Sequence, residues 1–383
     1  MADPLSSSPL YLDHAATAPP RREVLEAMWP YLAGNFANPS SRHEPGLAAD
    51  HALQDARRRV AAQLGARPAE IVFTSGGTEA DNAAVKGIAL AASQRRDEHA
   101  KHVLVSAVEH PAVGESAAWL ERLGFLVEQI PVDGTGLVSP EVLAGMIREE
   151  TVLVSVQYAN PEVGTVQDIP ALSAVTAERG VPFHTDAVQA AGSADLSVDA
   201  LGVQAMTLAG HKVGAPHGIG VLYLRRRTPF EPLIHGGGQQ RDRRSGTENV
   251  AAAVGMAVAM ELAQGSQERD DSGSLTARRD RFIDAVELQV PGARLTGHRT
   301  RRLRGHASFV LAGRSGESVL LDLERRGILC SSGSACDAGS ADPSPVLLAM
   351  GVEPELAQTA VRFTFGPDTA DADLERTARA LAA

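Results

Sequence analysis

Seven short β-branched runs punctuate the first two thirds of this chain: EIVFTS, HVLVSA, FLVEQI, TVLVSVQ, VPFHT, AMTLA and GVLYLR. Longer helical patterns separate most of them, namely TEADNAAVKGIALAAS, PAVGESAAWLERL, SPEVLAGMIRE and IPALSAVTAERG. A strand that returns parallel to its neighbour needs a crossover, and a helix supplies one while covering a sheet face. The alternation therefore predicts an α/β fold built on a mainly parallel seven-stranded sheet with both faces covered. Between AMTLA and GVLYLR there is only GHKVGAPHG, which predicts a short loop instead of a helix.

The pattern changes after Ala263–Ser274, AQGSQERDDSGS, which is polar and rich in Ser, Asp and Gly. Beyond it RFIDAVELQ and ESVLLDLERRG read as helices, and ASFVLA, ILC and VRFTF as strands. A chain of 383 residues is long enough for two domains. The division predicted is a large domain over 18–262 and a smaller α+β domain made of 1–17 with 263–383.

Composition excludes several classes of function. A formal net charge of -11 argues against a broad nucleic-acid surface, which needs a basic face. The basic run Arg225–Arg227 reads as a solvated strand end. MADPLSSSPL has neither a basic start nor an apolar stretch, and no run is long enough to span a bilayer, so no leader and no membrane association are expected. Two cysteines, Cys330 and Cys336, make no disulfide framework and point to a reducing, cytoplasmic setting. Thiolate and imidazole ligands at regular spacing are absent from the sequence, so no metal site is expected.

Open α/β sheets bind ligands beyond the carboxyl ends of their strands. Five of these strands end in chemically capable residues: Thr78 after EIVFTS, His110 after HVLVSA, Asn160 after TVLVSVQ, Asp186 with Gln189 after VPFHT, and His211 with Lys212 after AMTLA. Each has an ordinary explanation when taken alone. Ser75-Gly76-Gly77-Thr78 describes a phosphate-binding turn, and equally a plain strand–helix junction with Thr78 as N-cap. His110, before a Pro111 suited to open a helix, could stack on a ring, move a proton or simply hold the turn. Lys212 is one of only three lysines among 36 basic residues, and it could be a chance survivor on a loop. Lysine, unlike arginine, can also become a neutral amine, a nucleophile or a base. Asp186 is placed as the acid that a pyridinium nitrogen requires, with Gln189 in reach of the neighbouring phenolic oxygen. Together these residues describe a site for pyridoxal 5'-phosphate (PLP), with Lys212 as its Schiff-base residue.

YLDHAATAP, NPSSRH, FTSGGTEADN, EHPAV, DAVQAAG, GHKVGAPHGIG, HGGGQQRDRRSGTENV and CSSGSAC resemble, in that order, the cysteine desulfurases of the class V aminotransferase superfamily, PLP enzymes of fold type I. The resemblance runs from about Tyr11 to VRFTFG and implies removal of sulfur from L-cysteine, giving L-alanine. It implies that Lys212 holds the cofactor and moves the α-proton, that Asp186 pairs with the ring nitrogen, and that His110 stacks on the ring and donates protons. Gln189 and Asn160 would face the ring oxygen, and Gly77, Thr78 and His211 the phosphate. Thr247 would reach the phosphate of the other subunit of a homodimer. Asn38 and Arg362 would grip the substrate carboxylate, a task suited to an arginine fork. Cys336, after small residues in SSGSAC, would take up the sulfur as a persulfide. It would then pass it to an acceptor protein such as an iron–sulfur scaffold or a tRNA thiolation enzyme. Cys330, ending the apolar run GIL, fits a small buried side chain instead.

Two residues depart from the family's pattern. Pro161 stands where an asparagine is usual, so either Asn160 or Gln189 alone must serve the ring oxygen. Ala209 replaces a frequent serine, a loss worth about 1 kcal/mol. The rival readings are a selenocysteine lyase, a PLP aminotransferase that would not depend on Cys336, and a non-catalytic scaffold for sulfur transfer.

Overall fold

The structure, a computed structural model, describes residues 9–96, 100–268, 274–332 and 342–383. Its elements run β1 (Leu10–Tyr11), α1 (Arg22–Ala33), α2 (Glu44–Gln63), β2 (Ile71–Thr74), α3 (Gly77–Arg96), β3 (His102–Ser106), α4 (Pro111–Glu121), β4 (Leu126–Ile130), α5 (Pro140–Met146) and β5 (Thr151–Ser155). They continue with α6 (Ile169–Glu178), β6 (Phe183–Asp186), α7 (Val198–Leu201), β7 (Ala205–Ala209), β8 (Gly220–Leu224) and α8 (Val250–Glu268). The remainder is α9 (Leu275–Gln289), β9 (Ala293–Leu295), β10 (His306–Leu311), α10 (Gly316–Arg325), β11 (Ile328–Leu329), α11 (Pro345–Ala349), α12 (Pro354–Ala357), β12 (Ala360–Thr364) and α13 (Asp371–Ala382).

All seven strands expected from the sequence join one sheet, in the order β2-β8-β7-β6-β5-β3-β4. The neighbours from β4 through β7 pair in parallel, whereas β8 is antiparallel to both β7 and β2. Six strands therefore share one direction, and their carboxyl ends share one edge. The reversed β8 follows from the short β7–β8 connection, which holds only a 3-10 turn over Gly210–Lys212. Central strands buried on both faces explain the unbroken apolar runs. At the rim, β4 carries Glu128 and Gln129 and is partly exposed.

On one face α3 and α4 bring Val85, Ile88, Val113 and Leu120 against Val72, Val103 and Leu222. The opposite face is packed by Leu53 and Val60 of α2, Leu172 of α6 and Met256 of α8 against Leu104, Val154 and Phe183. α8 runs into the segment expected to divide the chain. Beyond it, β12-β10-β9 form an antiparallel sheet, and β1 pairs in parallel with β11. This second sheet has its own core, in which Leu12 from the amino-terminal end joins Phe282, Phe309, Phe363 and Leu374. Phe282 meets Phe309, Phe363 and Phe365 edge-on, at centroid distances of 6.3, 5.4 and 6.2 Å, a favoured geometry for aromatic rings. Among the described residues no helix is long and apolar enough to cross a membrane.

Phe282→Ala should cost about 3–5 kcal/mol, because it removes the ring on which three others pack. Leu288→Ala, on the same helix but 86% exposed, should stay within about 0.5 kcal/mol. Urea midpoints of the two variants check this; equal midpoints would contradict it.

Candidate active site

The parallel strand ends open onto a cavity of about 470 Å³. Gly77, Thr78, His110, Asn160, Asp186, Gln189, His211, Lys212 and Arg362 all line it. The convergence read from five strand ends is thus a feature of the folded chain. Thr247 and Asn38 are not among its lining residues, and both are exposed. Asn38 Oδ1 accepts a hydrogen bond from the Ser40 N–H at 2.9 Å, fixing a local turn. Cys336 lies outside the described residues.

The end of the cavity nearest α3 is shaped for an anion. α3 begins at Gly77, so Thr78 sits in its first turn, inside the helix and not at its cap. Its first N–H groups have no intrahelical acceptors and carry the positive end of a 20-residue helix. A Cβ on Gly77 would lie 3.0 Å from Val188 Cγ2, and one on Gly220 only 2.5 Å from the Gly76 carbonyl carbon. Gly220 has no room for a side chain, and one at Gly77 would have to push Val188 aside. Glu79, which would repel an anion here, is bound by Arg244 at 2.8 and 3.1 Å and accepts the Ser75 N–H. Burial, with Lys212 nearby, lowers His211 to about 4, so its ring is neutral at pH 7.

Lys212 ends the 3-10 turn that follows β7, and its Nζ donates to the carbonyls of Ala15 and Ala16 at 2.5 and 2.8 Å. Gln189 Nε2 donates to the same Ala15 carbonyl at 2.9 Å. The amino-terminal segment thus holds the lysine at the cavity wall. Asp186 closes β6, is buried, and accepts the Val188 N–H at 2.8 Å. Burial raises its pKa, against the pull of His110 and Lys212. His110 is the N-cap of α4 with Pro111 at the first helical position, as the sequence implied. Its Nδ1 accepts the Ala112 N–H at 3.1 Å, which leaves Nε2 as the place for a proton in the neutral ring. Burial lowers its pKa as well.

Pro161 does not empty its position. Its carbonyl accepts Arg362 Nη1 at 3.1 Å and lies 3.0 Å from His306 Nε2. Arg362 Nη2 is also bound to Asp13 at 2.7 Å, so the guanidinium is held from two sides at the cavity wall. Asn160 supplies the side chain that proline lacks. Its Oδ1 accepts the N–H groups of Glu162 and Val163, and its Nδ2 donates to Val108 O at 3.0 Å. An amide nitrogen carries two protons, so one is left beyond the bond to Val108.

Loop 235–249, which bears Thr247, has three successive non-glycine residues at positive φ: Gln240, Arg241 and Asp242 at 50°, 60° and 62°. Such backbone persists only where its surroundings impose it. Here buried Gln240 Oε1 accepts Arg57 Nη1 at 2.8 Å and the Phe73 N–H at 2.9 Å. Two further acids stand in the cavity wall, Asp81, which is buried, and Glu109, which is half-buried. Asp81 lies three residues after Thr78, a spacing that puts both on one helical face. Together Asp81, His110 and Asp186 bring one donor atom each within 4.8 Å, close enough to surround a cation as well.

The donor set suits PLP: helix N–H groups and a threonine for a phosphate, a buried acid for a ring nitrogen, amides for a phenolic oxygen, and a lysine for an aldehyde. The chain belongs to the class-V aminotransferase family, whose model matches residues 10–377. Its similarity within that family is to cysteine desulfurases. "Cysteine desulfurase IscS" of Dictyoglomus turgidum is 45% identical over 368 residues, covering 96% of this chain and 92% of the relative. Among solved structures, a "NIFS-like protein" superposes with a TM-score of 0.90 at 31% identity, over 98% of both chains. "SspA in complex with cysteine" gives a TM-score of 0.82 at 35% identity, over 94% of this chain and 100% of that one. Enzymes of this family depend on PLP in general.

Burial lifts Glu109 to about 8, although Ser106 and the Gln157 N–H bind its carboxyl. Its folded pKa exceeds its ordinary value of 4.5. Its contribution to stability is therefore complete below pH 4.5 and is lost as pH rises through 8. Glu109→Gln should flatten the fall in melting temperature across this range. Parallel curves for wild type and variant would contradict the assignment.

Proposed function

We propose that this protein is a PLP-dependent cysteine desulfurase, converting L-cysteine to L-alanine and storing the sulfur as a persulfide on Cys336. The carrying observation is the single cavity that gathers Thr78, His110, Asp186, Gln189, Lys212 and Arg362 in a chain of this family. Gly77, Thr78 and His211 would hold the phosphate, Asp186 the ring nitrogen, and Asn160 with Gln189 the phenolic oxygen. PLP, when bound, would supply a ring able to accept the electrons of the substrate's Cα–H bond.

The chain's own residues do the rest. Arg362, aligned by Asp13 and the Pro161 carbonyl, offers its fork to the substrate carboxylate. Lys212 takes and returns a proton at Nζ, work that arginine cannot do. His110, with Nδ1 occupied by the Ala112 N–H, moves a proton at Nε2. The Cys336 thiolate attacks the substrate sulfur. The new S–S bond replaces the substrate's C–S bond, whose electron pair stays with the carbon and is protonated to give alanine. The persulfide then passes to an acceptor protein.

We read the protein as a homodimer. Support comes from the outer face of α1 and the segment after it, where Leu25, Trp29, Leu32 and Phe36 are 48%, 68%, 59% and 80% exposed. Apolar surface so concentrated marks an interaction site. The exposed Thr247 would then serve the partner's phosphate, and exposed Asn38 would enter the completed site. We also take 18–262 as the cofactor-binding domain and 1–17 with 263–383 as the smaller one, supported by the hydrophobic core that the second sheet has of its own.

Purified protein given L-cysteine and a reductant should release alanine and sulfide in equal amounts. Cys336→Ala should lower both by at least about 100-fold while PLP absorbance remains. Amino transfer to a keto acid that survives Cys336→Ala would overturn this reading.

A further inference from the structure

Asp81 has no part in the function proposed so far, yet it is among the most deeply buried acids in the molecule, at 1% exposure. It projects from the second turn of α3 toward the end of β6. Its Oδ1 has no hydrogen-bond partner among the described residues and lies 3.8 Å from His184 Nε2. The Thr207 hydroxyl lies beside the same carboxyl and holds its pKa down against the effect of burial, and Thr207 stands opposite Asp186 in the β6–β7 register. Thr207 Oγ1 is 3.1 Å from His184 Nε2, and His184 Nδ1 is 2.9 Å from Ser155 Oγ. A buried chain of hydrogen bonds therefore runs Thr207–His184–Ser155, and Asp81, beside its Thr207 end, abuts Asp186 and His110.

Two carboxyl groups this close in a low-dielectric interior do not both ionise. The groups facing Asp81 are Asp186 and His184 on β6, Glu109 and His110 after β3, and Lys212 after β7. His184 offers no compensating charge, because it is wholly buried among hydroxyls. We propose that Asp81 is a positioning residue, a neutral carboxylic acid that leaves Asp186 as the single negative charge of the pair. The hydrogen-bonded chain makes this self-consistent. Asp81 O–H donates to Thr207 Oγ1, Thr207 O–H donates to His184 Nε2, and His184 Nδ1–H donates to Ser155 Oγ. An ionised Asp81 would reverse every bond and place the imidazole proton on Nε2. Burial favours the neutral form of both residues, raising Asp81 well above its ordinary value, with Asp186 adding to the rise and Thr207 opposing it, and lowering His184 to about 3. The consequence rests on the PLP reading: a ring nitrogen would meet one well-defined carboxylate instead of a doubly charged pocket. The electron demand of the ring would then be set by Asp186 alone.

The test is the tautomer of His184, read from the imidazole nitrogen shifts of protein labelled with ¹⁵N-histidine and assigned with His184→Gln. It needs neither turnover nor bound PLP, so it stands apart from the functional reading. A neutral His184 protonated at Nδ1 is expected near pH 7; protonation at Nε2 would overturn the proposal. In the PLP-loaded protein, Asp81→Asn removes no charge. The pH midpoint of the cofactor's visible absorption should therefore stay where it is in wild type. A shift of about one unit or more would mean that a buried charge had been lost, and would overturn it. A stoichiometric divalent cation, present in wild type and absent from Asp81→Asn, would overturn it too. Failure of wild type to bind PLP would count against the functional reading and leave the tautomer test to decide on the proton.

Discussion

A carboxyl group buried at the end of a strand is expensive unless something cationic meets it, and Asp186 is such a group. Much of the architecture can be understood from it. The parallel run of β3, β5, β6 and β7 places Asp186 on the edge that also receives His110, Asn160 and Lys212. The reversed β8 is what allows Lys212 to follow β7 on a short turn. A protonated ring nitrogen held by Asp186 would add positive charge to that which Lys212 brings to this end of the cavity. Binding of the cofactor and relief of this burial cost would be one event.

The second constraint is the union of two sheets across the cavity. Arg362 belongs to β12 of the smaller sheet, yet its guanidinium is tied to Asp13 and to the Pro161 carbonyl beyond β5. The segment from Asp13 to Ala18 crosses between them. It bridges to Thr364, receives Lys212 Nζ on two carbonyls, and donates the Ala18 N–H to His211 O at 2.8 Å. One strip of backbone thus registers the arginine against the lysine. Reaction geometry in such a site is sensitive to displacements on the order of 1 Å.

The seven strands were legible because each is a compact β-branched run, and Gly210–Lys212 because a helix was missing between the last two. The chain's first helices were not legible. α1 leaves Leu25, Trp29 and Leu32 exposed and contains Pro30, so its apolar residues show no clean stripe. α2 buries Gly46, Ala49, Ala56 and Ala61 around Leu53 and Val60, with Arg57 among them, so most of its core face is too small or too polar to stand out. In the site, residues at strand ends were readable from position alone. Asp81 and Glu109 were not, because an acid in a sequence reads as surface until the fold withdraws it from solvent, wholly for Asp81 and partly for Glu109. Pro161 misled in the opposite sense: the missing side chain was visible, whereas the carbonyl that holds Arg362 appears only in three dimensions.

The scarcity of lysine makes the central claim directly measurable. The protein should be mixed with PLP, reduced with borohydride to fix any imine link, digested and mapped by mass spectrometry. The account predicts one cofactor-sized addition per chain, carried on Lys212 and lost in Lys212→Arg. No addition, or addition spread over Lys86 and Lys101, would contradict it.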